Sequence, residues 1–203
     1  MSQQQALTAE QQKLSNLWDA HVSAEFDALS ADEAIATMVT NPRVWLAPLM
    51  AGGEGKQEVY EFYSKHFISQ IPPDSEMIPV SRTVGQSRVV EEMIFRFTHT
   101  IQMDWMLPGI APTGKRVEVG LLLIVQFEGD KLAHEHVYWD QASVLVQLGL
   151  LDRAALPVVG AEGVRSLLNR SIPLNALIHR AKPQTSRPAT PVGCGSRWRS
   201  RNG

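Results

Sequence analysis

Residues 133–143, AHEHVYWDQAS, gather two histidines, a glutamate, a tyrosine, a tryptophan and an aspartate into one short segment. Such residues take up, release or donate protons. Read as a strand, the segment sends successive side chains to opposite faces. His134, His136, Tyr138 and Asp140 then share one face, and Glu135, Val137 and Trp139 the other. A row of polar groups inside an apolar sheet is costly unless the groups are paired or used. The row is therefore expected to floor a reaction pocket. At a rise of about 3.3 Å per residue, His136 and Asp140 start roughly 13 Å apart and cannot form a dyad within one strand. Each would act on a different part of a substrate or find a partner on a neighbouring strand. His99 is such a partner, meeting Asp140 or Glu91 from a strand that also carries Phe95, Phe97, Ile101, Met103 and Trp105.

The chemistry of such a set is proton transfer. A carboxylate desolvated by aromatic walls has its pKa raised toward working pH and becomes a usable acid or base. Removing a proton beside a carbonyl gives an enolate, which a tyrosine or histidine donor stabilises. The catalytic candidates are Asp140, His136, His99 and Tyr138; the pocket candidates are His134, Trp105, Trp45, Phe62, Phe95 and Trp18. The expected substrate is a small hydrophobic carbonyl compound, and this chemistry needs no cofactor and no metal. Other readings stand beside it. His134 and His136 could hold a metal if Asp140 or His99 completed the set. Asp140 could cap the helix that SVLVQLG suggests. His21, on the inner side of the first helix, reads as a core histidine, His66 as packing or half-exposed, and His179 carries no role. A non-catalytic module that binds a hydrophobic ligand or dimerises is the remaining class.

The elements that must position these residues follow from periodicity. Residues 8–40 read as helical, with Ser30 as an internal N-cap and Glu33 three residues on. Met38 and Val39 continue the apolar spacing of that second helix, and Asn41-Pro42 ends it. A short strand, RVWLAPLM, leads to AGGEGK, a turn without the Ser or Thr that a phosphate loop requires. QEVYEFYSKHF is a helix stopped by Pro72-Pro73. Extended segments follow at about 76–84, 88–105 and 115–128, rich in Val, Ile, Phe and Thr. Glu128-Gly129-Asp130 turns the last of them into KLAHEHVYW. Helices first and a run of antiparallel strands second make an α+β protein.

Residues 153–180 form an extension with a short helix in AEGVRSLLN, and 181–203 read as a disordered basic tail. The 19 basic and 21 acidic residues give no pull toward nucleic acid or membrane. Cys194 is the sole cysteine, so no intrachain disulfide forms. The N-terminus lacks the basic start and apolar run of a signal peptide. A cytoplasmic protein is expected.

The order helix, helix, strand, helix, curled sheet resembles the cone-shaped α+β barrel of the nuclear-transport-factor-2-like superfamily, with N-terminal helices packed on a curved antiparallel sheet. The pieces PTGKRV and YWDQ, within residues 108–151, resemble the C-terminal half of its SnoaL-like polyketide-cyclase branch. The likeness spans roughly residues 10–152, in a domain expected over 8–152. It implies a cyclase, isomerase or dehydratase of polyketide or other secondary metabolism, a pocket aspartate at Asp140 acting as general acid/base, and a homodimer formed through the sheet.

Overall fold

The structure, a computed structural model, describes residues 6–180. The expected basic tail, 181–203, lies outside the described residues. Helix α1 (Ala9–Phe26) starts at Thr8, whose hydroxyl accepts from the Gln11 N–H while the Gln11 side chain accepts from the Thr8 N–H. That reciprocal cap satisfies two donors that a helix start otherwise leaves open. Helix α2 (Ala31–Ala36) starts at Ser30, as its sequence predicts.

The next residues depart from expectation. Met38 does not extend α2 but opens strand β1 (Met38–Leu46). Its partner is distant in sequence, so helical spacing of four apolar residues gives way to tertiary pairing. Pro42 sits where the register shifts between Met38 and Arg43, a place that needs no ladder N–H. Strand β2 (Ala51–Glu54) folds back on β1 so closely that a Cβ on Gly52, at φ 132°, would lie 2.0 Å from the Val44 carbonyl oxygen. Helix α3 (Lys56–Phe62) then widens into an i→i+5 turn over Tyr63–Phe67, closed by the Ile68 N–H on the Tyr63 carbonyl.

Strands β3 (Glu76–Val84), β4 (Arg88–Thr98), β5 (Arg116–Glu128) and β6 (Lys131–Trp139) form a meander. β4 ends seven residues earlier than the extended pattern suggests. Residues 99–115 leave the sheet, and Met103, Trp105, Met106 and Leu107 turn inward to close the core. Helix α4 (Gln141–Gln147) follows β6 and ends at Gly149, φ 72°.

The six strands run β2-β1-β6-β5-β4-β3 and the sheet is open. All neighbours are antiparallel except β1 and β6, which are parallel, so the sheet is mixed. Its inner face packs on α1, α3 and the 99–107 segment around Trp18, Tyr63, Phe95 and Phe97. On β5's outer face lies α5 (Ala161–Leu168), whose Val164 sits 3.4 Å from where a Cβ on Gly120 would be. Arg165 clamps Glu118 there at 2.7 and 3.0 Å. This compact unit ends at Ile172; a second begins at Pro173 and carries α6 (Ala176–Arg180). Among the described residues no helix is long and apolar enough to cross a membrane.

Candidate active site

Cross-strand register fixes which way β6 faces. Glu135 stands opposite Val125, Val137 opposite Leu123 and Trp139 opposite Leu121, all on the buried inner side of β5. His134, His136 and Tyr138 stand opposite Gln126, Ile124 and Leu122 on the outer side. The expected polar floor therefore faces away from the core, and the alternate set faces in. The physical reason is that Val137 and Trp139 bury far more apolar surface than the His row could, and a strand's faces flip together.

The inner face of the sheet and helices α1 and α3 enclose a slender cavity with about 510 Å³ of empty space, part of it open to solvent. Its walls are apolar, and Trp18, Phe62, Phe95 and Trp105 are among the residues that line it. Val44, Leu46, Leu121 and Val137 complete the sheet side. Three ionisable side chains border it, Glu25, Tyr63 and Glu135. Behind them lies fully buried His21. One turn of α1 places His21 and Glu25 on the same side, four residues apart. Tyr63 comes from the widened turn after α3 and Glu135 from β6, so three elements meet at one spot.

Distances define the cluster. His21 Nε2 lies 3.2 Å from Glu25 Oε1, 3.9 Å from Glu135 Oε2 and 3.3 Å from the Tyr63 hydroxyl. The Tyr63 hydroxyl is 3.4 Å from Glu135 Oε2. On the far side of the ring, Nδ1 is 2.6 Å from Thr37 Oγ1, which donates its own hydrogen to the Ala34 carbonyl at 2.6 Å. Thr37 must therefore accept from His21 Nδ1–H, leaving Nε2 to face the carboxylates. Glu25 Oε1 is buried and has no hydrogen-bond partner. Trp18 stacks on the His21 ring at 5.7 Å and donates its indole N–H to Glu91, which Arg82 holds through Nε and Nη2 at 2.9–3.1 Å.

Burial dominates the protonation of this cluster. It pushes the Glu135 carboxyl up to about 8, with the Glu25 charge adding to the rise. Burial alone would lower His21, but the Glu25 and Glu135 carboxylates override it and hold the imidazole above its usual value. Tyr63 is raised well above the usual phenol range, so it stays a donor. Two carboxylates and one imidazole thus share protons in a buried site, the arrangement that suits acid/base work near neutral pH.

The other sequence candidates are dispersed. Asp140 is exposed and caps α4, its Oδ1 accepting from the Ser143 N–H at 3.1 Å. His136, His134, Tyr138 and Trp45 form a half-buried patch on the outer face: the two imidazoles stack at 4.7 Å, and Trp45 stands edge-on to His136 and Tyr138. Burial and then nearby positive charge lower both imidazoles. Neither Asp140 nor His99 joins His134 and His136; among the described residues the cluster with metal-holding spacing is His21, Glu25 and Glu135. His99 is buried and meets Thr113 at 3.3 Å, not Asp140 or Glu91, and burial lowers its pKa. His66 is exposed and pairs with Asp104 at 3.1 Å. Glu25, Tyr63 and Glu135 escaped the sequence reading. The signal was present: a histidine and a glutamate at i, i+4 within an apolar stripe, and a glutamate in register with Val137 and Trp139.

No family model and no curated protein matches the chain in sequence. Solved structures do match in shape. A protein named as a SnoaL-like polyketide cyclase from Jannaschia sp. CCS1 superposes with a TM-score of 0.55 at 14% identity, over 73% of this chain and 99% of that one. TsrD from Streptomyces laurentii gives 0.54 at 20%, over 72% and 100%. A hypothetical protein with a ketosteroid isomerase-like fold from Catenulispora acidiphila, in complex with trimethylamine, gives 0.53 at 13%, over 66% and 93%. The helices over an open curved sheet, the inward cavity and these superpositions together show that the chain has the α+β fold of the nuclear-transport-factor-2-like superfamily, shared with SnoaL-like and ketosteroid isomerase-like proteins.

Proposed function

We propose that the chain is an acid/base enzyme of cyclase, isomerase or dehydratase type, acting on a small hydrophobic carbonyl compound, as in polyketide or other secondary metabolism. One observation carries this reading: two glutamates and a tyrosine, backed by a histidine, converge on a cavity otherwise walled by apolar and aromatic side chains. The names of two fold neighbours, a SnoaL-like cyclase and a ketosteroid isomerase-like protein, support it by analogy of fold.

In the proposed reaction the Glu135 carboxylate takes a proton from carbon beside the substrate carbonyl. The C–H electron pair moves into the carbonyl, whose oxygen becomes negative. Tyr63 O–H donates to that oxygen. His21, oriented by Thr37 and held protonated by Glu25, keeps the positive charge that balances the enolate. Return of the proton to another atom, or closure of a ring, completes the step. A second copy of the chain would dock on the outer face beside α5, where Trp45, His136 and Tyr138 lie.

The test is hydrogen–deuterium exchange into a panel of apolar enolisable ketones in heavy water, followed by mass spectrometry. Wild type is expected to catalyse exchange for at least one ketone, and Glu135→Gln to lower it by about 10²-fold or more. Asp140→Asn should leave it unchanged. Exchange that survives Glu135→Gln, or none with any ketone, would reject the reading.

A further inference from the structure

We infer that His21, Glu25 and Glu135 form a binding site for one divalent transition-metal ion, held through a single imidazole nitrogen and two carboxylate oxygens. The inference does not rest on the proton-transfer reading; it rests on four features of the cluster. First, one potential ligand atom from each of the three residues lies within 4.8 Å of the others. Two of the edges are 3.2 and 3.9 Å, which bracket the roughly 3.4 Å separation of tetrahedral ligands lying about 2.0–2.2 Å from a metal.

Second, the His21 tautomer is set for coordination. Thr37 takes the Nδ1 hydrogen, so Nε2 is the nitrogen aimed at Glu25 and Glu135, and an incoming metal ion would displace its proton to reach the lone pair. A metal-bound histidine is commonly oriented this way, by a partner on its other ring nitrogen. Third, Glu25 Oε1 is buried and makes no well-aligned hydrogen bond, His21 Nε2 standing 3.2 Å away, so a metal ion shared with that nitrogen would complete it. Fourth, no lysine or arginine among the described residues lines the cavity, so His21 alone faces the two carboxylates with positive charge, which a divalent ion would replace. One nitrogen and two oxygen donors suit Zn²⁺, Co²⁺, Mn²⁺ or Fe²⁺ better than Mg²⁺ or Ca²⁺, which favour oxygen alone. Three protein ligands leave a fourth position toward the cavity, with the Tyr63 hydroxyl beside it at 3.3 Å from Nε2.

The experiment titrates the metal-stripped full chain with Co²⁺ and records its visible absorption, then displaces the ion with Zn²⁺. The expected result is saturation at one ion per chain with bands of a low-coordinate site. Glu25→Gln, which preserves shape, should weaken binding at least tenfold, with circular dichroism of the metal-free variant confirming its fold. Should that variant unfold, Thr37→Val keeps all three ligands and should weaken binding by about 10–100-fold. The double variant His134→Ala/His136→Ala should bind as wild type. Absence of saturable binding, binding indifferent to Glu25→Gln and Thr37→Val, or binding lost in the double variant would overturn the site. Bound Co²⁺ without deuterium exchange removes the enzymatic reading and keeps the metal site; exchange without bound ion removes the metal site alone.

Discussion

Thr37 settles that His21 Nδ1 carries a hydrogen, because its own hydrogen is committed to Ala34. From that one hydroxyl the polarity of the whole cluster follows. Glu135, with a folded pKa of about 8, keeps a proton that the unfolded chain releases near the ordinary carboxyl value. Folding stability is thus expected to fall as pH rises between about 4.5 and 8, and to level above. His21 acts in the same sense: raised in the folded state, it stabilises fully below its unfolded value near 6.5 and loses that contribution as pH climbs through the folded one. Urea midpoints should therefore be higher at pH 6 than at pH 9, and Glu135→Gln should shrink the difference by more than half. If Glu135 is the base, exchange should rise with pH with a midpoint near 8, a limb that Glu135→Gln removes. Asp140→Ala should cost about 1 kcal/mol in a thermal melt through loss of the α4 cap, with no change in exchange. Asp140 was legible in the sequence as a cap because a short polar side chain before an apolar helix has a local meaning. Glu135 was not, because its meaning comes from β5 across the ladder and from α1 above it.

At the scale of elements, local signals were read correctly and long-range ones were not. Ser30 starts α2 and Gly129 turns a hairpin, each fixed by its own neighbours. Met38 and Val39 looked helical until β6 claimed them, and residues 99–105 looked extended until Met103 and Trp105 folded inward. The inner face of the sheet makes a direct test of the cavity. Val137→Phe projects a ring into that space from β6 and is expected to abolish ketone exchange while the far-ultraviolet circular dichroism stays that of wild type. Helix α5 offers a second test. Val164 is nearly buried against Gly120, so Val164→Ala should cost about 1.5 kcal/mol in urea unfolding, at about 0.8 kcal/mol per methyl removed. Amide exchange should localise the loosening to residues 161–168. The Arg165–Glu118 clamp should add to that docking only while Glu118 is ionised. Arg165 holds this carboxyl below its usual range, so the contribution is present above about 4.5 and is lost as pH falls through the depressed folded value.

For the whole molecule, the α+β fold class was foreseen from the order of elements, and the mixed strand pairing was not. A meander of β3 to β6 joins strands that follow one another, whereas β1 lies beside the last strand made. Residues 45 and 136 are ladder neighbours, so the loop between them must close before Val44 and Leu46 gain their cover from Glu135 and Val137. During synthesis on the ribosome, the N-terminal third of the chain therefore waits with one strand edge bare until β6 emerges. The helices, hairpins and meander can assemble as they appear; the seam between first and last strands is sewn at the end, and an interrupted chain would display β1 as a sticky, unpaired ribbon.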